Sequence, residues 1–350
     1  MKLYEVTIRP EGAIGTPLKG DTLFGHFCWQ VFYDPDLVRG GLEKLLEKYD
    51  HKPPLVFSSA YPKIPESEPL YALIKPTLPG AMWPHLKQTD RGERIKKRKE
   101  FKKRKWLLVG SDLVVDLSKA ELLDDEMLSE RVAQTTSKEI RRHRTKHGDK
   151  HFCQEISRFH NTINRLTGTT GTGAFAPYTQ DCWYYQTGAV LAVFVLMVDE
   201  EIVDIQGVQK ALERIGEFGY GKDAGSGLGR FSVVAFKELT VPPLSDAQAC
   251  YCLSPCVPAR ESFSQAFFVP FVRFGKHGDT LARAGNPFKN PVIMADEGAV
   301  FIPTDSEKTF SVPYFGSAVR SLSKVCPSAV GQGYSLYLPI KMEMCNEQDD

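Results

Sequence analysis

The sixteen residues from Gly216 to Phe231, GEFGYGKDAGSGLGRF, hold six glycines at 216, 219, 221, 225, 227 and 229. Six residues without Cβ atoms can take positive φ and turn sharply, so this segment is a loop. Its flanks define the kind of loop. Before it, Val203 to Ile215 sets Val208, Ala211, Leu212 and Ile215 at helical spacing. After it, Phe231 to Phe236 reads as a strand. Gly216 to Lys222 fits G-x-x-x-x-G-K, but Asp223 stands where Ser or Thr is required, and a P-loop follows a strand rather than a helix. Gly225 to Gly229 spells G-x-G-x-G, not the dinucleotide-binding G-x-G-x-x-G. What remains is a loop whose successive amides can face one concavity and hold phosphate oxygens, with Lys222 and Arg230 beside them. The alternative is a flexible linker.

The other elements follow from periodicity. Tyr4, Val6 and Ile8 alternate with polar residues, as in a half-buried strand. Asp21 or Thr22 can cap a helix bearing Leu23, Phe24, Phe27, Cys28 and Val31. Asp34-Pro35 opens a second helix, with Leu42, Leu45, Leu46 and Tyr49 inward. Eight prolines between residues 51 and 84 predict loops and short edge strands there. Residues 91–104 favour helix but lack an apolar stripe, and read as a protruding arm. Ser118 to Gln134 reads as an amphipathic helix, and Cys182 to Tyr185 and Leu191 to Val198 as strands. Without an insertion at about 50–155, residues 1–240 read β-α-β-β-α-β, the ferredoxin-like order. Val241-Pro242-Pro243 is the expected linker to a smaller unit, 248–350. In that unit Phe263 to Phe274 reads as a strand pair or one bent strand, and Val292 to Met294 and Val300 to Ile302 as short strands. Tyr314 to Leu322 reads as a helix and Tyr334 to Met344 as a strand. The fold class is α+β.

Composition is that of a globular chain, 42% apolar and 25% charged, which excludes disordered and fibrous classes. The longest apolar run, Ala189 to Val198, is ten residues, half of the roughly 20 a membrane helix needs. No apolar signal-peptide core follows Met1, so a cytoplasmic location and reduced thiols at the eight cysteines are expected. The net charge of +1 hides a segregation. Residues 87–105 carry +8, residues 138–151 carry +4, and the remainder carries −11. Basic segments on an acidic body fit a polyanionic partner; the alternative is a solvated basic loop.

Four stretches carry a family likeness: GDTLFGHFCW at 20–29, HNTINRLTG at 160–168, GYGKDAGSGLGRF at 219–231 and NPFKNPVIMADEGAVF at 286–301. In this order they resemble the RAMP superfamily of CRISPR-associated proteins, and within it the crRNA 5′-handle-binding subunit of type III-A (Csm) effector complexes. The resemblance implies two ferredoxin-like (RRM-like) RAMP domains, the first with a long basic insertion. It implies a non-catalytic, RNA-binding scaffold without a cofactor, holding the 5′ handle of crRNA. Its implied partners are a large polymerase/cyclase-like subunit and an adjacent backbone RAMP subunit. Implied phosphate contacts come from the amides around Gly225, Ser226 and Gly227, with Lys222 and Arg230 nearby. Lys19 and the helix start behind it are a further implied contact, with His160, Asn161 and Arg165 completing the set. Lys289 is expected to serve the second unit's structure or its interface with the large subunit. The segment around Ile156, Phe159, Ile163 and Leu166 has helical spacing, whereas the family pattern is extended. Tyr178, Trp183, Tyr220 and Phe231 are stacking candidates, each of which can equally pack in a sheet.

Rival chemistry needs weighing. Some RAMP relatives cleave precursor crRNA without metal, with histidine as general base, so His26 and His160 are candidates for an endoribonuclease. His26 can face an RNA groove or be an ordinary helix-surface histidine, and His160, beside Asn161, has no clear poised partner in the sequence. His143, His147 and His151 share one helical face, but the cations around them disfavour zinc. Cys250, Cys252 and Cys256 lack C-x-x-C spacing and read as linker thiols. Asp124-Asp125-Glu126 sits on a polar face with no two-metal motif.

Overall fold

In a computed structural model the chain is described over residues 1–86, 91–147, 150–244 and 247–341. Strand β1 (Lys2–Pro10) leads through a loop to helix α1 (Gly20–Tyr33). A short 3₁₀ turn at Pro35–Leu37 precedes α2 (Gly41–Glu47), which starts later than Asp34-Pro35 suggests because positive φ at Gly40 and Gly41 breaks the path between them. Then come β2 (Leu55–Ile64), β3 (Leu70–Ile74), α3 (Arg91–Lys103), β4 (Trp106–Val109), β5 (Val115–Asp116) and β6 (Leu122–Leu123). Helices α4 (Asp125–Gln134) and α5 (Lys138–His147) precede the ribbon β7 (Cys153–His160) and β8 (Tyr178–Tyr185). Strand β9 (Val190–Met197), α6 (Ile205–Phe218) and β10 (Phe231–Leu239) close the first half.

Seven of these strands form one sheet in the order β10-β1-β9-β2-β3-β4-β6. Its first four are antiparallel neighbours, with α1 between β1 and β2 in sequence and α6 between β9 and β10. That is the expected β-α-β-β-α-β order, but the second strand is β2 rather than Cys182 to Tyr185, which lies in β8 and pairs with β7 outside this sheet. The prolines mislead because Pro53 and Pro54 precede β2, Pro65 and Pro69 follow it, and only Pro62 falls inside. The inserted segment therefore runs between β2 and β9 rather than over about 50–155. Ser118 to Gln134 is not one helix. Leu122–Leu123 pairs with β4, and the helix starts after Asp124, whose carboxylate caps the Met127 amide at 3.0 Å.

The second half supplies β11 (Ala249–Cys252), β12 (Phe263–Phe267), β13 (Pro270–Arg273), β14 (Val292–Ala295), β15 (Val300–Pro303), β16 (Tyr314–Gly316) and β17 (Tyr334–Lys341). Five strands run β12-β15-β11-β17-β16, and β5 joins β17 in parallel. Phe263 to Phe274 splits between two sheets, because β13 pairs with β14 as a separate ribbon. The helix expected at Tyr314 to Leu322 is the edge strand β16, with Phe315 buried and stacked 4.8 Å from Phe301. The terminal strand ends at Lys341; the expected residues 342–344 lie outside the described ones. Cys250, Cys252 and Cys256 are buried in this sheet's own apolar cluster, not in a linker.

One apolar core runs from Leu3 to Ile340 and includes residues of both halves. Polar contacts reinforce the junction. The Gln332 side-chain amide donates to Phe57 O at 2.7 Å and accepts from Phe57 N–H at 2.9 Å, and Tyr61 OH donates to Leu253 O at 2.8 Å. Inside the first sheet, Glu5 is buried yet satisfied by Lys63, Thr7 and Tyr71 at 2.5, 2.6 and 2.6 Å. Burial pushes its carboxyl up, but those three hydrogen bonds prevail and hold it below the usual range.

Candidate nucleic-acid interface

The glycine loop is positioned by its neighbours rather than left free. Tyr220 is fully buried; its N–H donates to Gly229 O at 2.9 Å, and its hydroxyl accepts from Lys19 N–H at 3.1 Å and donates to Pro17 O at 2.9 Å. The Gly221 N–H donates to His26 Nε2 at 2.9 Å, and the Lys222 N–H to Thr16 Oγ1 at 2.9 Å. Asp223 accepts from the Gln180 amide at 2.5 Å, which ties the loop to β8. Gly229 has a φ of +75°, and a Cβ there would stand 2.0 Å from Tyr220 O. This is a shaped loop, anchored at both ends.

Its tip faces outward. Lys222, Asp223, Gly225, Ser226, Gly227 and Arg230 are exposed, and nothing lies within 4 Å of a Cβ built on Gly225 or Gly227. Two of the expected phosphate-binding amides are engaged within the tip. The Ser226 N–H donates to Asp223 O and the Gly227 N–H to Ala224 O, both at 2.9 Å. The tip therefore offers an open turn between two cations rather than a row of free amides.

Lys19 has a different use from the one expected. Its ammonium pairs with Asp296 and, at 3.2 Å, with Glu297, and lies 4.8 Å from the Phe271 ring centroid. Its side chain is only 14% exposed, so these carboxylates occupy it in place of a phosphate. The start of α1 is likewise closed to an anion. Gly20 N–H points to Ser59 Oγ at 3.4 Å, and Asp21 pairs with Arg273 through Nε at 2.7 Å and Nη2 at 2.8 Å. Neither Asp21 nor Thr22 caps the helix; the capping position is Lys19, without a side-chain cap. Glu297 accepts from Ser59 Oγ at 3.1 Å. Burial raises its carboxyl to about 7, Lys19 opposing and Asp296 adding to the shift.

The ribbon β7–β8 carries the remaining residues. His160 ends β7 and stacks on Tyr178, with centroids 5.3 Å apart and planes at 15°. Asn161, Arg165 and Leu166 (96%) are exposed on the loop beyond, and Phe159 (86%) is exposed within β7. The segment is extended through His160, so its helical spacing did not govern. Ile14 and Trp183 exchange backbone hydrogen bonds of 2.9 Å, joining this ribbon to the loop before α1. Of the stacking candidates, Tyr220 and Phe231 are core residues, and Tyr178 is open at 53% exposure.

His26 is a latch. Burial, with the nearby Lys289 charge, lowers its imidazole to about 4, and Nε2 already accepts the Gly221 amide. The neutral ring is therefore held as an acceptor. The expected result of an imidazole ¹⁵N NMR titration is a His26 transition near pH 4, well below the free value of about 6.5. Because the folded value lies below the unfolded one, its stabilising effect is complete above about 6.5 and fades as pH falls toward 4. A transition near 6.5 would show that the latch is open. Burial holds the Lys289 ammonium below its usual range, and the Lys289 backbone N–H donates to Gly275 O at 2.8 Å.

Nothing in the sequence signals Gln180–Asp223, Thr16–Lys222 or His26–Gly221, since their partners lie 43 to 206 residues apart. The side chains of His143 and His147 lie outside the described ones, and His151 Nδ1 is 3.0 Å from Asp125. Among the described residues no helix is long and apolar enough to cross a membrane.

No protein-family model and no curated protein matches the sequence. Solved structures do. A chain of a Csm1–Csm4 cassette in complex with cA4 has a TM-score of 0.56 at 14% identity, covering 99% of this chain and 100% of that one. A chain of the same cassette with cA3 has a TM-score of 0.55 at 15% identity, with the same coverage. A chain of the Csm3–Csm4 subcomplex in the type III-A CRISPR-Cas interference complex has a TM-score of 0.54 at 14% identity, covering 97% and 100%. Over nearly its whole length, then, the chain has the fold of Csm4, the component those assemblies share.

Proposed function

We propose that this chain is the crRNA 5′-handle-binding scaffold subunit of a type III-A CRISPR ribonucleoprotein. The observation that carries the reading is the anchored glycine loop with its open, cation-flanked tip, in a chain whose whole length follows the Csm4 fold. Lys222 and Arg230 supply charge to the handle phosphates across the exposed turn at Gly225, Ser226 and Gly227. His160, Asn161 and Arg165 extend the contact along the β7–β8 ribbon. Lys19 is left out, since its carboxylate partners occupy it. Residues 1–240 and 248–350 act as two RAMP domains on one shared core. One side meets a large polymerase/cyclase-like subunit and the other a backbone RAMP subunit, in the cytoplasm where the guide is used. Two of the assemblies whose fold it shares support that pairing, being named for Csm1 with Csm4 and Csm3 with Csm4.

The subunit positions RNA and does not cut it. A general base needs a lone pair within reach of the substrate hydroxyl. The His26 Nε2 lone pair is occupied by Gly221, which counts against His26 as the base of an endoribonuclease.

Fluorescence anisotropy with an RNA bearing the repeat-derived 5′ end tests the site. Lys222→Glu with Arg230→Glu is expected to weaken binding at least about tenfold and to cut the salt slope by about 1.4, at about 0.7 per phosphate. Equal binding by wild type and variant would remove the glycine loop from the site. RNA cleavage in EDTA, lost on His26→Ala or His160→Ala, would replace the scaffold reading with an enzyme.

A further inference from the structure

Helix α3 stands apart from everything described above. Lys96, Lys97, Arg98, Lys99, Lys102 and Lys103 are all exposed, and among the described residues none of them takes part in an ion pair. The second basic segment differs. There Lys150 pairs with Glu126 at 3.1 Å, His151 faces Asp125, and the Arg144 guanidinium donates to Ser129. Six unanswered cations on one short helix repel one another, a cost that a bound polyanion removes.

Beside these cations lies a cleft of about 510 Å³, within the roughly 300–1,000 Å³ of small-ligand sites. Its apolar walls are Ala81, Leu86, Ile95 and Phe101, and Arg98 and Lys102 stand among its lining. Phe101 is fixed edge-on to Trp83 with centroids 5.0 Å apart, and Lys75 Nζ sits 3.9 Å from its ring centroid. Ile95 remains 49% exposed, although apolar.

We propose that α3 and this cleft form a second contact for single-stranded nucleic acid, with phosphates on the cations and one unstacked base in the cleft. The distribution of charge favours this over an acidic protein segment. At 100° per residue, positions 96, 97, 98, 99, 102 and 103 encircle the helix. A rigid acidic helix would meet one stripe and leave the other cations unpaired, whereas a flexible phosphate chain can follow both flanks. A base has a π-face and little charge, which suits an apolar cleft with a cationic rim. The contact is separate from the glycine loop. That loop leads into β10, and α3 leads into β4, five strands away in the same sheet, or about 24 Å at about 4.8 Å per strand.

The test uses the full chain with fluorescein-labelled twelve-nucleotide oligouridine and oligothymidine, in anisotropy titrations over a salt series. Arg98→Glu, Lys99→Glu and Lys102→Glu together are expected to lower the salt slope by about 2, at about 0.7 per phosphate, and affinity more than tenfold. Ile95→Glu, on an exposed position, is expected to weaken binding several-fold with an unchanged melting temperature. The same loss on top of Lys222→Glu/Arg230→Glu separates this surface from the glycine loop, and its presence or absence is independent of the handle reading. Loss with both oligomers supports the proposal as stated; loss with RNA alone supports it with the 2′-hydroxyl as a further contact. An unchanged slope in the triple variant overturns it. So does binding of fluorescein-labelled polyglutamate that the triple variant loses while its oligonucleotide binding stands unchanged, which would make an acidic protein the partner.

Discussion

Gly229→Ala is expected to cost more than about 3 kcal/mol, while Gly225→Ala in the same loop is expected to stay within about 0.5 kcal/mol. The contrast follows from surroundings, not composition. At Gly229 the new methyl would stand 2.0 Å from Tyr220 O and 2.5 Å from Tyr220 N, both backbone atoms, and φ is +75°. An L-residue there bears about 1–2 kcal/mol of left-handed strain before any clash is counted. Relief would require Tyr220 to move, and Tyr220 is buried and hydrogen-bonded to Lys19 and Pro17. At Gly225 nothing lies within 4 Å. Urea denaturation of the two variants decides the matter. Equal midpoints would mean that the loop is not held as described.

Lys19→Met is the second large effect, about 3 kcal/mol at pH 8, since removing one partner of a buried ion pair leaves the others uncompensated. Glu297 and Asp296 would then face each other without a cation. The sign with pH is fixed by Glu297. Its folded value, about 7, lies above the unfolded 4.5, so its stabilising effect is complete below 4.5 and declines as pH rises through 7. Without Lys19 the carboxyl rises further and the decline extends to higher pH. The gap between wild type and variant should therefore be small at pH 5 and widest at pH 8. Denaturation at the two values, with a gap that narrows toward pH 8, would contradict this account of the cluster.

Local pattern was legible where one residue type governs. The alternation of Tyr4, Val6 and Ile8 gave the strand β1, although both its faces are buried from Leu3 to Ile8 rather than one, the spacing of Val208, Ala211, Leu212 and Ile215 gave α6, and the glycines gave a shaped loop between α6 and β10. Pattern failed where tertiary pairing overrode it. Proline density hid β2 although its buried residues line the sheet, Leu122–Leu123 left a helical run to pair with β4, and Tyr314–Gly316 became a sheet edge. Within the site, Lys222 and Arg230 stand exposed as charge alone suggested. The ion pairs of Lys19 could not be read, because Asp296 and Glu297 lie 277 and 278 positions away and only folding brings them to its ammonium. The same holds for His26, whose place as an acceptor depends on a loop amide 195 residues later.

The pairing of Gln332 with Phe57 has a mechanical meaning. A side chain from one half completes the strand hydrogen bonds of the other, inside an uninterrupted apolar interior. Bending the halves apart would strand polar groups of β2 in an oily seam. The molecule thus behaves as a strut: a push delivered at one end arrives at the other as displacement of the whole body.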